Sequence, residues 1–121
     1  MDYFFDSYAI LEIINQNENY LKYSDQIIVT NSLHLAEVYY RILLEHNKQT
    51  ADFWIRNLKF KLIDIDADIS IEAAKFRFEN KRKKLSYADC IGYISSIKNN
   101  LKFLTGDKEF ENFANVEFVK K

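Results

Sequence analysis

Short apolar runs alternate with longer segments of helical periodicity from one end of the chain to the other. The runs are rich in β-branched and aromatic residues, which indicates buried strands. We expect strands at residues 3–5, 27–29, 60–65, 102–105 and 116–119, and helices at residues 7–15, 19–24, 32–46, 50–58, 71–83 and 86–98. Such alternation is typical of α/β folds. The pattern predicts a three-layer α/β/α sandwich with a central parallel sheet of four to five strands, in a single domain covering residues 1–121.

The distribution of charged residues predicts the position of one strand in the sheet and the burial of one helix. The third strand should lie near an edge of the sheet because charges punctuate it, at Lys59, Lys61, Asp64 and Asp66. Apolar residues cover most of the circumference of the helix at residues 32–46, so we expect most of that helix to be buried. Its narrow polar stripe should face water or a cleft, and it consists of His34, Glu37, Arg41, Glu45 and Lys48. The spacing of the elements leaves the order of the strands open.

The composition excludes several classes of protein. The formal net charge of -1 is unlike that of a protein that coats nucleic acid, which is usually strongly basic. Two glycines, Gly92 and Gly106, are too few for the glycine-rich loops that bind dinucleotides or nucleotide phosphates. The two histidines, His34 and His46, have no cysteine partners for a zinc site. Residues 64–68 begin like a calcium loop, but the required glycine and glutamate are missing.

Cysteine usage and hydropathy predict the compartment. Cys90 is the one cysteine, which excludes an internal disulfide framework and makes a reducing cytoplasm the expected location. No segment approaches the roughly 18 uncharged apolar residues that cross a membrane. The N-terminal residues lack the basic region and cleavage site of a signal peptide. We therefore expect a cytoplasmic protein that is not bound to a membrane.

Four acidic residues form a candidate site: Asp6, Glu37, Asp89 and Asp107. Asp6 directly follows the first strand, and Asp107 follows the strand at residues 102–105. Ligands of open parallel sheets bind beyond the carboxyl ends of the strands, so two acids at these points should share one edge. Carboxylates without histidines are ligands for hard cations such as Mg²⁺ or Mn²⁺. Such an ion would suit chemistry on phosphate.

Each acid also has a purely structural interpretation. Asp6 and Asp107 are suitable N-caps for the segments that follow them. Glu37 and Arg41 form a favourable i,i+4 pair on a solvated helix face. Asp89 completes a capping box with Ser86. Capping and metal binding are compatible roles, so the sequence leaves both interpretations open for each residue.

Four segments resemble the PIN domain family, and within it most closely the VapC-type toxins of toxin-antitoxin pairs. They are residues 5–7, residues 33–43 with Ala36-Glu37-Val38-Tyr39, residues 85–89, and residues 104–110 with Thr105-Gly106-Asp107. The resemblance covers nearly the whole chain. It implies an endoribonuclease that depends on Mg²⁺ or Mn²⁺ and leaves a 5′-phosphate and a 3′-hydroxyl.

The resemblance also implies roles for individual residues. Asp6, Glu37, Asp89 and Asp107 match the catalytic acidic quartet that holds the metal. Ser7 and Thr105 match hydroxyl positions beside it, and some relatives carry an acid where this chain has Glu109. Gly92 and Tyr93 depart from the alanine-rich pattern usual after the third acid, which bears on packing. The implied partners are an RNA substrate, a cognate antitoxin and a second copy of the chain.

Two further features bear on partners. The basic run Lys81, Arg82, Lys83 and Lys84 precedes the helix that carries Asp89. It is interpreted either as a solvated charge run or as a surface that follows an RNA backbone. Several aromatic residues crowd the first half, namely Tyr20, Tyr23, Tyr39, Tyr40 and Trp54. Most of them should lie in the core, and any left exposed would suit a partner helix.

Three alternative functions remain at this point. A phospho-acceptor domain of the receiver type would share the parallel fold and a strand-end acid, with Asp64 as the acceptor, but its lysine-proline pair is impossible in a chain without proline. A PIN-like interaction module without catalytic activity is a second alternative, against which the presence of all four acids argues. The third is a PIN nuclease that matures RNA and has no antitoxin.

Overall fold

The computed structural model describes residues 2–121, and five parallel strands form its central sheet. The strands are β1 (Tyr3–Phe5), β2 (Ile28–Thr30), β3 (Phe60–Leu62), β4 (Lys102–Thr105) and β5 (Val116–Phe118). Their order across the sheet is β3-β2-β1-β4-β5. The first strand is therefore central, and the chain adds strands on one side of it before crossing to the other. The predicted edge position of β3 is confirmed.

Five α-helices flank the sheet: α1 (Ser7–Ile14), α2 (Ser32–Glu45), α3 (Lys48–Asn57), α4 (Ala67–Glu79) and α5 (Tyr87–Lys98). Two short 3-10 helices, Glu18–Tyr23 and Lys108–Phe110, complete the elements. Four of the α-helices have an N-cap residue whose side chain accepts a hydrogen bond from the backbone N–H three residues later. These capping residues are Asn31, Asn47, Asp66 and Ser86.

The two faces of the sheet bury separate apolar clusters. In β1, Phe5 packs on one face with side chains of α1, α2 and the first 3-10 helix, whereas Phe4 packs on the other with side chains of α4 and α5. Both phenylalanines are fully buried. Successive strand residues point to opposite faces, so a strand covered on both sides must be apolar throughout. The three-layer α/β/α architecture predicted from the sequence is confirmed.

Some predicted boundaries were wrong. Helix α4 begins at Ala67, four residues before the predicted start, because the Asp66 side chain accepts a bond from the Ile69 N–H and caps it there. It ends at Glu79, which leaves the basic run in a turn between α4 and α5. Strand β3 ends at Leu62 and is shorter than predicted.

The expectation that α2 is mostly buried was also wrong. Only His34, Val38 and Ile42 of this helix are buried, whereas Tyr40 and Leu44 are 62% and 63% exposed. Helix α2 contacts α1, α3 and α5, and these neighbours leave much of its surface open. The expectation that most of the five aromatic residues of the first half lie in the core was also wrong, because only Tyr20 and Tyr23 are fully buried, whereas Tyr39 and Trp54 are partly buried and Tyr40 is exposed.

Among the described residues, none of the helices combines the length and the apolar character that a bilayer span requires.

Candidate functional site

Asp6 lies where the central strand β1 and its neighbour β4 end. Strands β1 and β4 pair with Phe5 opposite Leu104, and the Asp6 N–H donates to the Leu104 carbonyl at 3.0 Å. The Thr105 hydroxyl then donates to Asp6 Oδ2 at 2.7 Å. The same hydroxyl oxygen accepts a bond from the Asp107 N–H at 3.0 Å. Thr105 therefore links the first and fourth acids through its hydroxyl group.

The Asp6 side chain has a different role from the predicted cap. It makes no capping bond to α1, although the residue stands at the N-cap position. The residue is 2% exposed, and Oδ1 has no hydrogen-bond partner in residues 2–121. Burial raises the pKa of the Asp6 carboxyl to about 8, the Thr105 hydrogen bond opposes that change, and the charges of Asp89, Glu37 and Asp107 add to it. Burial of a carboxyl group with an unpartnered oxygen destabilises the folded state unless a proton or a cation neutralises its charge.

Glu37 extends from α2 toward the same place. Its Oε1 accepts a bond from the Ser7 hydroxyl at 3.1 Å, which joins the second acid to the start of α1. The expected pair with Arg41 was wrong, because Arg41 contacts Glu45 at 3.4 Å instead. The Glu37 side chain is 43% exposed, so it forms the open side of the site.

Asp89 and Asp107 both have the capping roles predicted for them. Asp89 Oδ2 accepts from the Ser86 N–H at 2.9 Å, and the Asp89 N–H donates to Ser86 Oγ at 3.0 Å, which completes the capping box. Asp107 Oδ1 accepts from the Glu109 N–H at 3.0 Å. Burial raises the pKa of Asp89, its bonds with Ser86 lower it, and the charge of Asp107 raises it.

The four carboxylates share one arrangement. Within the described part of the chain, one oxygen of each accepts a hydrogen bond, and no hydrogen bond reaches the other. The occupied oxygens are Asp6 Oδ2, Glu37 Oε1, Asp89 Oδ2 and Asp107 Oδ1. These bonds orient each side chain and leave one oxygen available to a ligand. We refer to these four residues as the acidic site.

The carboxylates do not form a closed cage. No group of three or more His, Cys, Asp or Glu side chains in residues 2–121 has the spacing to hold a metal ion as it stands. Nevertheless, the charges of the other three acids act on Asp6, which shows that they share a neighbourhood. All the available donors are carboxylate oxygens, the ligands that hard divalent cations prefer. Together with the bare, buried Asp6 Oδ1, this donor set has the chemistry that a hard divalent cation prefers.

His34 is a central residue that sequence analysis missed. It is fully buried, and its Nδ1 lies 3.4 Å from Asp6 Oδ1 and 3.6 Å from Glu37 Oε1. The Ser7 N–H donates to Nδ1 at 3.1 Å, so Nε2 carries the proton and donates to the Ala88 carbonyl at 3.0 Å. Burial lowers the pKa of His34, which keeps the ring neutral. The ring thereby joins the starts of α1 and α5.

A sequence signal for His34 existed in the spacing of the polar stripe on α2. His34 precedes Glu37 by three residues, so the two share a helix face. The sequence predicts that this stripe faces water or a cleft, whereas the His34 side chain is fully buried. The role found here is to accept and donate hydrogen bonds within the site.

The basic run lies beside the acidic site. Lys83 Nζ is 3.9 Å from Glu109 Oε2, and the Glu109 N–H is bonded to Asp107. Lys81 and Lys83 line a groove between α4 and the start of α5, whereas Arg82 and Lys84 are exposed residues outside its lining. Of the predicted run, two lysines are thus placed on a common concave surface.

The comparisons with known proteins agree on the fold. The PIN domain family matches residues 3–116. No curated protein matches the chain significantly. Among solved structures, a toxin-antitoxin complex from Klebsiella pneumoniae superposes with a TM-score of 0.75 at 19% identity, over 97% of this chain and 96% of that one.

Two other solved structures have similar scores. VapBC2 from Rickettsia felis, bound to a DNA fragment from its promoter, has a TM-score of 0.77 at 20% identity and covers 99% of this chain and 100% of its own. The toxin VapC20 from Mycobacterium tuberculosis, which cleaves the sarcin-ricin loop, has a TM-score of 0.78 at 13% identity. That alignment covers 96% of this chain and 99% of the toxin. At these identities the likeness establishes the fold.

Proposed function

The chain belongs to the PIN domain family, and from this membership and the acidic site we propose that it is an endoribonuclease that depends on Mg²⁺ or Mn²⁺. The observation that carries the proposal is Asp6, a buried carboxyl with one unpartnered oxygen among three other acids. A structural role alone would leave that oxygen uncompensated. A bound divalent cation would compensate it.

The metal would be held by Asp6, Glu37, Asp89 and Asp107, with the unbonded oxygen of each as the donor. When bound, such an ion neutralises charge on the phosphate and lowers the pKa of water so that hydrolysis proceeds at neutral pH. Thr105 fixes the Asp6 carboxylate through its hydroxyl, and Ser7 fixes Glu37 in the same way. The capping bonds hold the Asp89 side chain at the start of α5 and the Asp107 side chain at the start of the second 3-10 helix.

We further propose that the protein is the toxin of a type II toxin-antitoxin pair. Solved structures of similar fold include a toxin-antitoxin complex and a toxin that cleaves RNA, which supports this class. An exposed apolar groove of about 450 Å³ on α2 and α3 supports a protein partner, and Leu35, Tyr39, Tyr40, Leu43 and Ile55 line it. Exposed apolar surface of this kind suits an antitoxin helix or a second copy of the chain.

An RNA-maturing nuclease without an antitoxin remains the alternative. Expression of the wild-type chain alone should arrest growth if it is a toxin, and Asp6→Asn should relieve the arrest. Co-expression of a small neighbouring protein with a DNA-binding domain should also relieve it. Normal growth with the wild-type chain, combined with cleavage of RNA in vitro, would favour maturation.

The nuclease proposal is tested by incubating a panel of labelled RNAs with the protein in Mg²⁺, Mn²⁺ or EDTA. We expect cleavage that requires the metal and is abolished by Asp6→Asn. The matched control is Asp25→Asn, which removes an exposed acid and should cleave like the wild type. Equal cleavage in EDTA would refute the metal mechanism. Melting with Mn²⁺ is an independent check, since an ion that binds only the folded state raises Tm.

A further inference from the structure

A second concave surface lies beside the acidic site, between α4 and the start of α5. It has a volume of about 330 Å³, and its side chains include Arg77, Phe78, Lys81, Lys83 and Tyr87. We call it the basic-aromatic groove. No Asp or Glu lines it, although the chain as a whole carries a net charge of -1. The groove therefore concentrates positive charge on a protein that has no excess of it.

The groove combines cations with exposed aromatic rings. Phe78 and Tyr87 are 68% and 57% exposed, so both rings are accessible to a ligand. The Arg77 guanidinium lies 4.3 Å from the centre of the Tyr87 ring, and Lys81 Nζ lies 4.5 Å from the centre of the Phe78 ring. Such contacts hold both rings at the surface.

The position of Arg77 is set by a bond as well as by stacking. Its Nε donates to the Leu85 carbonyl at 3.0 Å, which ties the end of α4 to the segment before α5. The guanidinium and the Tyr87 ring thus form a preorganised stack. Flat groups of this kind are what unpaired bases stack on, and neighbouring lysines can neutralise the phosphates on either side.

Two observations place the groove close to the acidic site. Tyr87 stands two residues before Asp89 on the first turn of α5. Lys83 lies 3.9 Å from Glu109, which is bonded to Asp107. A strand of RNA that occupies the groove would therefore run toward the four carboxylates.

We propose that the basic-aromatic groove binds an unpaired nucleotide of the RNA substrate, with its base on the Tyr87 and Phe78 rings and its phosphates near Lys81 and Lys83. The proposal rests on the proposed function for the identity of the ligand. The volume of about 330 Å³ lies at the lower end of the roughly 300–1,000 Å³ of small-ligand pockets, which suits one nucleotide. An acidic peptide would pair with the lysines but would not stack on either aromatic ring.

The test is fluorescence anisotropy of a labelled single-stranded RNA in EDTA, so that binding is measured without cleavage. Tyr87→Ala and Phe78→Ala should each weaken binding by roughly 5- to 150-fold and leave its salt dependence unchanged. The double variant Lys81→Ala/Lys83→Ala should reduce the slope of log K against log salt concentration by about 1.4. Phe53→Ala is the matched control, since Phe53 is 50% exposed on α3, away from the groove, and this variant should bind like the wild type.

Two further measurements guard against loss of folding as an explanation. Tyr87→Phe keeps the ring and should bind within a factor of about two of the wild type, because stacking needs no hydroxyl. RNA with abasic positions should bind the wild type more weakly, and Tyr87→Ala should weaken the binding of abasic RNA no further. Equal affinities of the wild type and both ring variants would overturn the proposal, as would failure of the wild type to bind single-stranded RNA.

These outcomes separate the groove from the nuclease activity. If the wild type binds RNA through the rings but does not cleave RNA with Mn²⁺, the proposed nucleotide site is supported and the proposed nuclease function is refuted. If the wild type cuts RNA and the ring variants bind and cut normally, the groove proposal fails alone. Poly-glutamate could also be added as a competitor. If it displaces bound RNA equally well from the wild type, Tyr87→Ala and Phe78→Ala, the rings do not contribute to binding. That result would indicate a site for acidic peptides and overturn the proposal.

Discussion

A Cβ atom on Gly92 would lie 2.5 Å from His34 Nε2, so the imidazole ring occupies the space that a side chain on α5 would need. His34 comes from α2, and its Nε2 already bonds to the Ala88 carbonyl one turn earlier on α5. The glycine allows the two helices to approach closely enough for that bond. Packing against a histidine is therefore the reason that α5 requires a glycine at this position.

Substitution of Gly92 by alanine should destabilise the protein even though alanine is the better helix former. Overpacking costs about 1–3 kcal/mol, and the gain in helix propensity offsets at most about 1 kcal/mol of it. The measurement is the free energy of unfolding in urea. If the clash with His34 is the cause, His34→Ala/Gly92→Ala should lose less than the sum of the two single variants. Strict additivity would show that the ring is not what Gly92 accommodates.

Replacement of His34 by leucine should destabilise the protein strongly. Leucine fills similar space but leaves the Ser7 N–H without a partner, which costs roughly 1–3 kcal/mol for a buried group, and it removes the second bond that the Ala88 carbonyl accepts beside its bond within α5. His46→Leu is the matched control, because His46 is exposed at the end of α2 and its side chain makes no hydrogen bond in residues 2–121. Similar unfolding midpoints for the two variants would contradict the structural role assigned to His34.

The stability of the metal-free protein should fall as pH rises from 6.5 to about 8. The folded state holds a proton on Asp6 up to a pKa of about 8, whereas the unfolded chain releases it near 3.8. The unfolded state therefore binds fewer protons in this interval, and stability decreases with pH by up to about 2 kcal/mol. Below 6.5, His34 acts in the opposite sense because burial lowers its pKa from that value.

Urea unfolding in EDTA across this pH range measures the effect. Asp6→Asn should flatten the dependence, since the amide does not titrate, whereas Asp25→Asn should leave it unchanged. A wild-type protein whose stability is constant from pH 6.5 to 8 would show that Asp6 is not held protonated. Added Mn²⁺ should compete with the proton, so its stabilising effect should increase over the same interval.

Loss of the Thr105 hydroxyl should weaken both the fold and the response to metal. Thr105→Val keeps the shape of the side chain but leaves Asp6 Oδ2 and the Asp107 N–H without their partner. We expect a decrease of about 1–3 kcal/mol in the free energy of unfolding and a smaller rise of Tm with Mn²⁺. Thr105→Ser retains the hydroxyl and should recover most of the metal response. An equal response in the valine and serine variants would exclude this role.

Local patterns predicted most of the fold because they encode local interactions. The caps at Asn31 and Ser86 are side-chain bonds to residues three positions later, and both follow from residue type and spacing. The apolar strands could be located because burial on two faces requires continuous apolar residues. The start of α4 also depends on a local interaction, because Asp66 caps the helix. From the sequence, Asp66 was considered only as part of a possible calcium loop and of the edge strand.

The sequence suggested which acidic residues belong to the candidate site, but it predicted only part of their arrangement in space. The sequence determined which acids follow the strands, and parallel pairing brings those ends to one edge. The tertiary structure alone decided the strand order, which makes Asp6 and Thr105 neighbours across 99 positions of the chain. It also placed His34 against Ala88, 54 residues away, and Arg77 over Tyr87. Contacts such as these depend on how helices pack across a sheet, and no periodicity along the chain records that packing.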